Sequence, residues 1–416
     1  MLISENGKTI YQQSFGVADA SGTTKLNASF RFNIGSIAKE FNAAAIMMLK
    51  EKGKLSLSDK VSLYVKGLPK WGDSISILNL LQYTSGLPNS KWNEIKGDSS
   101  NFAFLQTVKK LDFAPGTQYA YNNNNTFLQR QLIEKVSGMS FNAFVKEKML
   151  KPLGMSHSIV DPTAADEKIA KAFNNAKVED GLTPPISGWT NVTIGDFYTW
   201  AQAISNYRLI TPESTREILY GFEPGKQAGL GGGLMEGKTL VSHIHDGTTR
   251  NYQALLATSA RNNRVVLLLT NNQQNNLYDF NRAIQAILDD KPYAQVKKSF
   301  LTHFKNEIAN LTGEQLLAFY AEKQKTMSSA FSFENETTLN EIGYNYLRNG
   351  KIADALLIFK KNTSLFPKSG NVWDSLAEAT LSTGDKANAL LYYQKAYQLD
   401  PNNATAKKMV EDLARR

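Results

Sequence analysis

The sequence predicts an α+β domain followed by an all-α repeat module. Residues 1 to about 290 mix short β-like runs, helical patterns and many Gly, Asn and Pro breaks, whereas the later residues are helical in pattern throughout. The last part of the chain also repeats itself at a constant offset. Because 416 residues are too many for one ordinary domain, we assign a first domain at 1–290, a helical connector at 291–336 and the repeats at 337–416.

The first domain is predicted to contain antiparallel strands and several helices. An Asn6-Gly7 turn separates a strand at its start from a return strand over 8–11, and the apolar runs 252–257 and 265–270 form a second hairpin. Helical patterns follow Ser36, Ser76, Asn125, Thr193 and Tyr278. These elements favour a sheet flanked by helices.

Composition excludes several classes of site. The chain has no cysteine, which excludes disulfides, cysteine catalysis and thiolate metal sites. Its four histidines do not form the His-Glu-x-x-His pattern of a zinc protease, so we expect neither a metal nor a cofactor. The net charge is +9, but the lysines are scattered, which favours a solvated surface over a nucleic-acid groove. No apolar stretch approaches the ~20 residues of an integral membrane segment.

The C-terminal part of the chain repeats with the period of a tetratricopeptide repeat, which is about 34 residues. The positions that recur at this offset are Leu339 as Trp373, Gly350 as Gly384, Ala355 as Ala389, Leu356 as Leu390, Phe359 as Tyr393 and Pro367 as Pro401. Two repeats are fewer than the three that usually make a stable array, so helices over 313–328 and 404–414 are expected to complete the stack. The module is either a concave surface for a protein partner or a structural appendage, and its short length favours the appendage.

Ser36-x-x-Lys39 is the most informative candidate for chemistry. Apolar residues with helical spacing follow Gly35, so the two side chains lie on one face of a first helical turn. A serine hydroxyl is a weak nucleophile until a base takes its proton, and a desolvated lysine one turn away can be that base. The alternative is that Ser36 only caps the helix and Lys39 is a surface residue.

Two further segments favour a catalytic site. Tyr121 and Asn123 lie two residues apart where a loop enters a helix, so both side chains can point into one cleft, although the surrounding asparagines could also be plain loop. His245 and Gly247 precede the strand at 252, and the glycine would let backbone approach a substrate closely. Together with the Ser-x-x-Lys pair, these segments favour chemistry over a helix cap.

With these motifs, residues 1–290 resemble the serine β-lactamase and penicillin-binding-protein-like hydrolases, most of all the branch of class C β-lactamases, esterases and D-aminopeptidases. The shared motifs, in the family's order, are Ser36-x-x-Lys39, Thr-Ser-Gly-Leu-Pro at 84–88, Pro-Gly-Thr at 115–117, Tyr121-x-Asn123, Pro-Leu-Gly-Met at 152–155 and His245-x-Gly247. The resemblance implies a β-lactamase-like fold, in which an antiparallel sheet is flanked by helices and an all-helical region holds part of the site. It also implies a small-molecule or peptide substrate.

The resemblance implies a role for each site residue. Ser36 would attack an ester or amide carbonyl and become acylated, Lys39 would take its proton, and Tyr121 would be the proton shuttle and the general base for the deacylating water. The backbone N–H groups of Ser36 and of Thr248, just past Gly247 on the sheet edge, would form the oxyanion hole. The substrate-binding residues implied are Asn123, which would orient the substrate's amide, His245, Gly247 and Thr248.

Three departures from the family pattern stand out, and one bears on the substrate. His245 occupies the place where strict β-lactamases have the lysine of Lys-Thr-Gly, and a mostly neutral imidazole is a poorer partner for a carboxylate. We therefore expect an esterase or D-amino-acid peptidase with weak or absent β-lactamase activity. The alternatives are a D,D-carboxypeptidase or β-lactamase, and a non-catalytic peptidoglycan- or peptide-binding protein whose repeats bind a partner. The other departures are Tyr83 in place of a histidine and Asn122 in place of a serine.

The first residues lack a signal-peptide pattern and are already predicted to be a strand. Family members usually have a helix, and often an export signal, before this strand. The resemblance therefore implies a truncated or mis-started chain whose full form is exported to the periplasm, whereas a genuine start would imply a cytoplasmic protein. A missing helix would leave an exposed apolar patch beside the first strands.

Overall fold

The computed structural model describes residues 1–181, 185–223, 225–273, 276–333 and 335–414. The chain divides into two compact units, Met1–Gln273 and Gln274–Arg416. The division falls before the helix Leu277–Leu288, and the assignment of that helix to the first domain stays a prediction. None of the helices within these described ranges combines the length and the hydropathy of a membrane span.

The strands of the first unit form two antiparallel sheets. They are β1 Leu2–Glu5, β2 Lys8–Gln12, β3 Phe32–Asn33, β4 Ile159–Val160, β5 Thr190–Val192, β6 Gly232–Glu236, β7 Thr239–Thr249, β8 Tyr252–Ser259 and β9 Arg264–Thr270. The larger sheet has the order β2-β1-β9-β8-β7-β6, and the smaller one has the order β3-β5-β4. Asn6 and Gly7 both adopt positive φ, as the tight turn between β1 and β2 requires. Ile10, Tyr11 and Phe15 are exposed on or just after the edge strand β2.

Helices of the first unit flank the larger sheet, and some of them begin at polar caps. They are α1 Lys39–Glu51, α2 Val61–Tyr64, α3 Ile77–Leu81, α4 Asp98–Thr107, α5 Asn123–Ser137, α6 Phe141–Val145, α7 Lys151–Leu153, α8 Ile194–Ser205 and α9 Pro212–Leu219, with 3-10 turns Gly35–Ala38 and Lys70–Asp73 and a π-helical turn Lys146–Leu150. Ser76 caps α3 through a capping box, and Thr193 caps α8. The helix predicted after Asn125 begins at Asn123 instead, because the Asn122 side chain accepts the N–H of Asn124 and caps it.

The core of this unit surrounds α1. Its residues from Phe41 to Met47 are buried on every side, so this helix is central rather than amphipathic. The Phe41 ring stacks on Trp200 of α8 with ring centroids 3.8 Å apart. Packing on all sides fixes the start of α1 at Lys39 and the preceding 3-10 turn, which contains Ser36.

The second unit is helical. Its helices are α10 Leu277–Leu288, α11 Phe300–His303, α12 Lys305–Ile308, α13 Gly313–Met327, α14 Thr337–Arg348, α15 Ile352–Leu365, α16 Gly370–Leu381, α17 Lys386–Leu399 and α18 Ala404–Ala414. The pairs α14/α15 and α16/α17 pack as antiparallel neighbours around small and aromatic residues, with Gly343 so close to the Phe359 ring that a Cβ would lie 2.5 Å from it. α15 and α17 begin at Ile352 and Lys386, which are separated by the offset of the sequence repeat. The helical region is therefore present, while its assignment to the tetratricopeptide repeats stays a prediction.

Candidate active site

Ser36 lies in the 3-10 turn that leads into α1. The nearest cap positions, Ile34 for the turn and Ala38 for α1, make no side-chain cap hydrogen bond. The Ser36 hydroxyl instead lies between two other side chains, Lys39 and Tyr121. The helix-cap alternative for Ser36 is therefore wrong.

Lys39 is buried beside this hydroxyl. Its Nζ donates to Ser36 Oγ at 3.2 Å, and the side chain is only 4% exposed. The same Nζ lies 5.1 Å from the ring centroid of Tyr121 and 5.3 Å from that of Trp189. The two aromatic rings leave the Lys39 amino group little contact with water. Lys39 is thus no surface residue.

Tyr121 reaches the same hydroxyl from the loop before α5. Its Oη donates to Ser36 Oγ at 2.7 Å, and its ring lies 4.7 Å from the Tyr83 ring. Burial, and then the neighbouring Tyr121 and Tyr119 phenols, raise the pKa of Tyr83 well above its ordinary value, so Tyr83 stays neutral. The backbone also connects the two segments, because the Ala120 N–H in the loop before Tyr121 donates a hydrogen bond to the Tyr83 carbonyl. The residue that replaces the family's histidine therefore supports the Tyr121 ring.

The segment with His245, Gly247 and Thr248 precedes the strand that begins at Tyr252, as predicted, and is itself the end of strand β7. The strand has a period of two, in which His243, His245 and Gly247 face inward. β6 is the edge strand, but its pairing with β7 ends at Ile244. Among the described strand pairings, the end of β7 thus has one open side, and that side meets the turn that holds Ser36.

The contact between β7 and this turn leaves no room for side chains. A Cβ on Gly247 would lie 1.9 Å from the Ile34 carbonyl oxygen and 2.9 Å from the Ser36 nitrogen. A Cβ on Gly35, whose φ is +55°, would lie 2.5 Å from the Thr248 nitrogen. Two glycines therefore bring the backbone nitrogens of Ser36 and Thr248 onto adjacent segments, whereas the Thr248 side chain is exposed.

Replacing Gly247 by alanine is expected to reduce turnover about 10²- to 10³-fold, because the new methyl group must push β7 away from Ser36 and displace the Thr248 N–H, the oxyanion donor that the family resemblance implies. Gly195 of α8 is the matched control, since a Cβ there has no neighbour within 4 Å. Turnover of an activated ester and thermal melting would be measured for both variants. Unchanged turnover of Gly247→Ala would contradict the expectation that the end of β7 supplies an oxyanion donor.

A buried cluster that the sequence did not predict adjoins the site. Glu40, which follows Lys39, is 0% exposed, and its Oε1 accepts hydrogen bonds from His243 Nε2 at 2.9 Å and His245 Nδ1 at 2.7 Å. Trp200 Nε1 donates to Oε2 at 2.6 Å. Burial alone would raise the pKa of Glu40, but the charges and hydrogen bonds of the two histidines outweigh it and lower the pKa to about 2. The carboxyl group is thus ionised at any ordinary pH.

The ligand atoms of this cluster lie within 4.8 Å of one another, and Glu40, His243 and His245 are the group among the described residues that could hold a metal ion. The carboxylate oxygen is already at hydrogen-bond distance from both rings, so a metal would have to spread them. The His-x-His spacing, which puts both rings on one face of a strand, was the sequence signal for the cluster. His245 is 3% exposed and tied to Glu40, rather than extended freely into a cleft.

Asn123 lies at the first position of α5 and lines a small pocket beside Lys39, together with Asn42, Arg130 and Trp189. The pocket wall is fixed by an ion pair in which Arg130 Nη2 lies 2.8 Å from the Asp98 carboxylate. The neighbouring Asn122 donates to the Leu87 carbonyl at 2.6 Å and caps α5. Asn122, which stands where the family usually has a serine, therefore has a structural role.

Comparison with known proteins gives matches over the first part of the chain. The family model described as Beta-lactamase matches residues 1–290. Penicillin-binding protein 4* of Bacillus subtilis is 34% identical over 169 residues, which are 38% of this chain and 37% of that protein. The putative penicillin-binding protein PbpX of Bacillus subtilis is 29% identical over 248 residues, 56% of this chain and 60% of that protein. The chain spans less than two thirds of the length of these curated relatives.

Solved structures agree in fold. The octameric penicillin-binding protein homologue from Pyrococcus abyssi has a TM-score of 0.59 at 22% identity, covering 70% of this chain and 73% of that one. A class C beta-lactamase has a TM-score of 0.55 at 23% identity, covering 65% of this chain and 85% of that one. At such identities the likeness concerns the fold, and the expected β-lactamase-like α+β fold is confirmed.

Proposed function

Because the chain belongs to the Beta-lactamase family, we propose that it is a serine hydrolase that cleaves an ester or amide bond through an acyl-enzyme on Ser36. One observation carries the proposal: Ser36 Oγ lies 3.2 Å from Lys39 Nζ and 2.7 Å from Tyr121 Oη. A hydroxyl within hydrogen-bond reach of two proton carriers is the arrangement that an activated nucleophile needs.

In the proposed reaction, Lys39 as the free amine takes the Ser36 proton while Oγ attacks the carbonyl carbon. Tyr121 gives its phenolic proton to the leaving group and then, as the general base, takes a proton from the water that hydrolyses the acyl-enzyme, while Lys39 returns its proton to Ser36 Oγ. Its phenol, unlike Lys39, is partly exposed, which supports contact with an incoming water. Proton transfer by positioned groups of this kind contributes typically 10²- to 10⁴-fold each.

The oxyanion hole of the proposed reaction consists of the backbone N–H groups of Ser36 and Thr248. The close approach at Gly35 and Gly247 supports this role, since the backbone around Thr248 packs directly against the turn that contains Ser36. Fixed donors need no reorganisation when negative charge develops on the carbonyl oxygen. The Asn123 amide, beside Lys39 in the same pocket, is proposed to orient the substrate's amide.

For the substrate, we propose an ester or a D-amino-acid peptide rather than a β-lactam. His245 stands where strict β-lactamases have a lysine, and its Nδ1 is engaged by Glu40 at 2.7 Å. Only one ring nitrogen is thus left for a ligand, which supports weak recognition of a substrate carboxylate.

A panel of short-chain esters, D-amino-acid amides and a chromogenic cephalosporin tests this proposal. We expect ester or D-amino-acid amide hydrolysis, slow or absent cephalosporin hydrolysis, and covalent labelling by a fluorophosphonate probe. Efficient cephalosporin turnover would overturn the substrate preference. A folded protein that the probe does not label and that hydrolyses nothing would favour the non-catalytic binding protein.

A D,D-carboxypeptidase or β-lactamase is the second candidate, and the names of the two penicillin-binding relatives favour it. Release of D-alanine from a peptide ending in D-alanyl-D-alanine would distinguish it from an esterase.

For the second unit, we propose two tetratricopeptide repeats between α13 and α18. The packed helix pairs and the recurrence of the second helix at the offset of the sequence repeat support this assignment. A structural appendage is favoured over a surface for a protein partner, because so short an array offers little concave surface.

A further inference from the structure

The buried carboxylate of Glu40 receives three hydrogen bonds. Trp200 Nε1 can only donate, so Oε2 is an acceptor, while Oε1 faces His243 Nε2 and His245 Nδ1. The pKa of about 2 keeps the group ionised, so it has no hydrogen of its own to give to either ring. Both ring nitrogens that face Oε1 must therefore carry hydrogen.

This requirement fixes the tautomer of each ring. His243 Nε2 also lies 3.0 Å from the Leu230 carbonyl oxygen, a second group that only accepts, which confirms a hydrogen on that nitrogen. For His245 the hydrogen is on Nδ1, so the neutral ring has its lone pair on Nε2. Among the hydrogen bonds of the described residues, none engages Nε2 of His245.

The position of the cluster connects it to the proposed chemistry. Glu40 follows Lys39 directly at the start of α1, and His245 lies two residues before Gly247 on the same inward face of β7. One carboxylate thus joins the turn that holds the nucleophile to the strand that holds the proposed oxyanion donor. The Gly231 backbone packs against the His245 imidazole, since a Cβ on Gly231 would lie 2.5 Å from His245 Cγ.

We infer that Glu40 is a positioning residue of the proposed hydrolase, whose carboxylate holds His245 with its hydrogen on Nδ1 and so leaves Nε2 as the ring atom open to a ligand. This inference rests on the proposed function. A carboxylate that orients a histidine through Nδ1 is a recurrent way to set which nitrogen is available for chemistry. Glu40 acts through His245 and has no direct contact with the reacting atoms.

Nitrogen NMR of the intact wild-type chain tests the tautomer without any substitution. With four histidines in the sequence, the imidazole spectrum is sparse, and His245→Gln assigns the signals of His245. Above the pH at which the ring loses its charge, we expect the hydrogen of His245 on Nδ1 and an unprotonated Nε2. A hydrogen on Nε2 would overturn the inference, whatever the behaviour of the variants.

A double-mutant cycle tests the link to turnover. Glu40→Gln and His245→Gln are each expected to lower kcat/KM about 10- to 100-fold, and the double variant should be no worse than the poorer single one. Glu51→Gln, on the exposed end of the same helix, is the matched control and should keep wild-type turnover. Losses that multiply in the double variant, or full activity of a folded Glu40→Gln, would overturn the inference.

The two levels of the proposal fail in different ways. A wild-type chain that no serine probe labels would overturn the proposed hydrolase, and with it the role of Glu40 in turnover. If the probe labels the wild type but the His245 hydrogen is on Nε2, the inference about Glu40 fails and the proposed hydrolase stands. If Glu40→Gln unfolds because its amide cannot accept all three donors, the wild-type NMR result decides.

Discussion

Replacing Ser36 by alanine is expected to abolish ester turnover and labelling by a fluorophosphonate probe. The substitution removes the one oxygen that both Lys39 and Tyr121 contact, and no acyl-enzyme can form without it. Loss of a serine nucleophile from a cooperating catalytic set lowers kcat on the order of 10⁶-fold. Steady-state turnover and mass spectrometry of the labelled protein measure the two effects.

The fold should survive this change, since alanine removes a single oxygen from a packed turn. Ser58→Ala, in the exposed loop before α2, is the matched control and should label and turn over as the wild type does. A Ser36→Ala protein that melts normally and still labels would show that another residue is the nucleophile.

Replacing Tyr121 by phenylalanine is expected to reduce kcat/KM about 10²- to 10⁴-fold. The change deletes the Oη that lies 2.7 Å from Ser36 Oγ but keeps the ring that packs on Tyr83. Because Ser36 and Lys39 remain, slow acylation should persist, and the acyl-enzyme should accumulate as deacylation loses its base. A burst of product followed by slow turnover would measure this.

Tyr119→Phe is the matched control, since its ring also contacts Tyr83, with centroids 6.1 Å apart, and it is not assigned to the reaction. Equal losses in both variants would assign the effect of Tyr121 to packing around Tyr83 rather than to proton transfer.

The sequence predicted those parts of the fold and site that depend on nearby residues. These local patterns are the turn at Asn6 and Gly7, the spacing of Ser36 and Lys39, and the loop with Tyr121. The structure brings the side chains of Ser36, Lys39 and Tyr121 together. Glu40 was missed because its partner His245 lies 205 residues away in the chain. Such a contact depends on tertiary packing, which has no local signature.

Two other differences also have physical causes. The full extent of β7 was not predicted because its inward positions hold histidines and a glycine in place of the apolar residues that mark a buried strand face. α5 was started too late because four successive asparagines hide which of them caps the helix. In both places polar residues have structural or site roles that hydrophobic periodicity does not detect.

The close contact at Gly35 and Gly247, between the Ser36 turn and β7, also has a consequence for folding during synthesis. Its two sides are separated by most of the first unit, so a nascent chain has the nucleophile, Lys39 and Tyr121 long before Gly247 leaves the ribosome. Until β7 docks, the carbonyl oxygen of a substrate has only half of its proposed donors. Under the proposed mechanism, full reactivity is therefore expected only after β7 docks against the Ser36 turn.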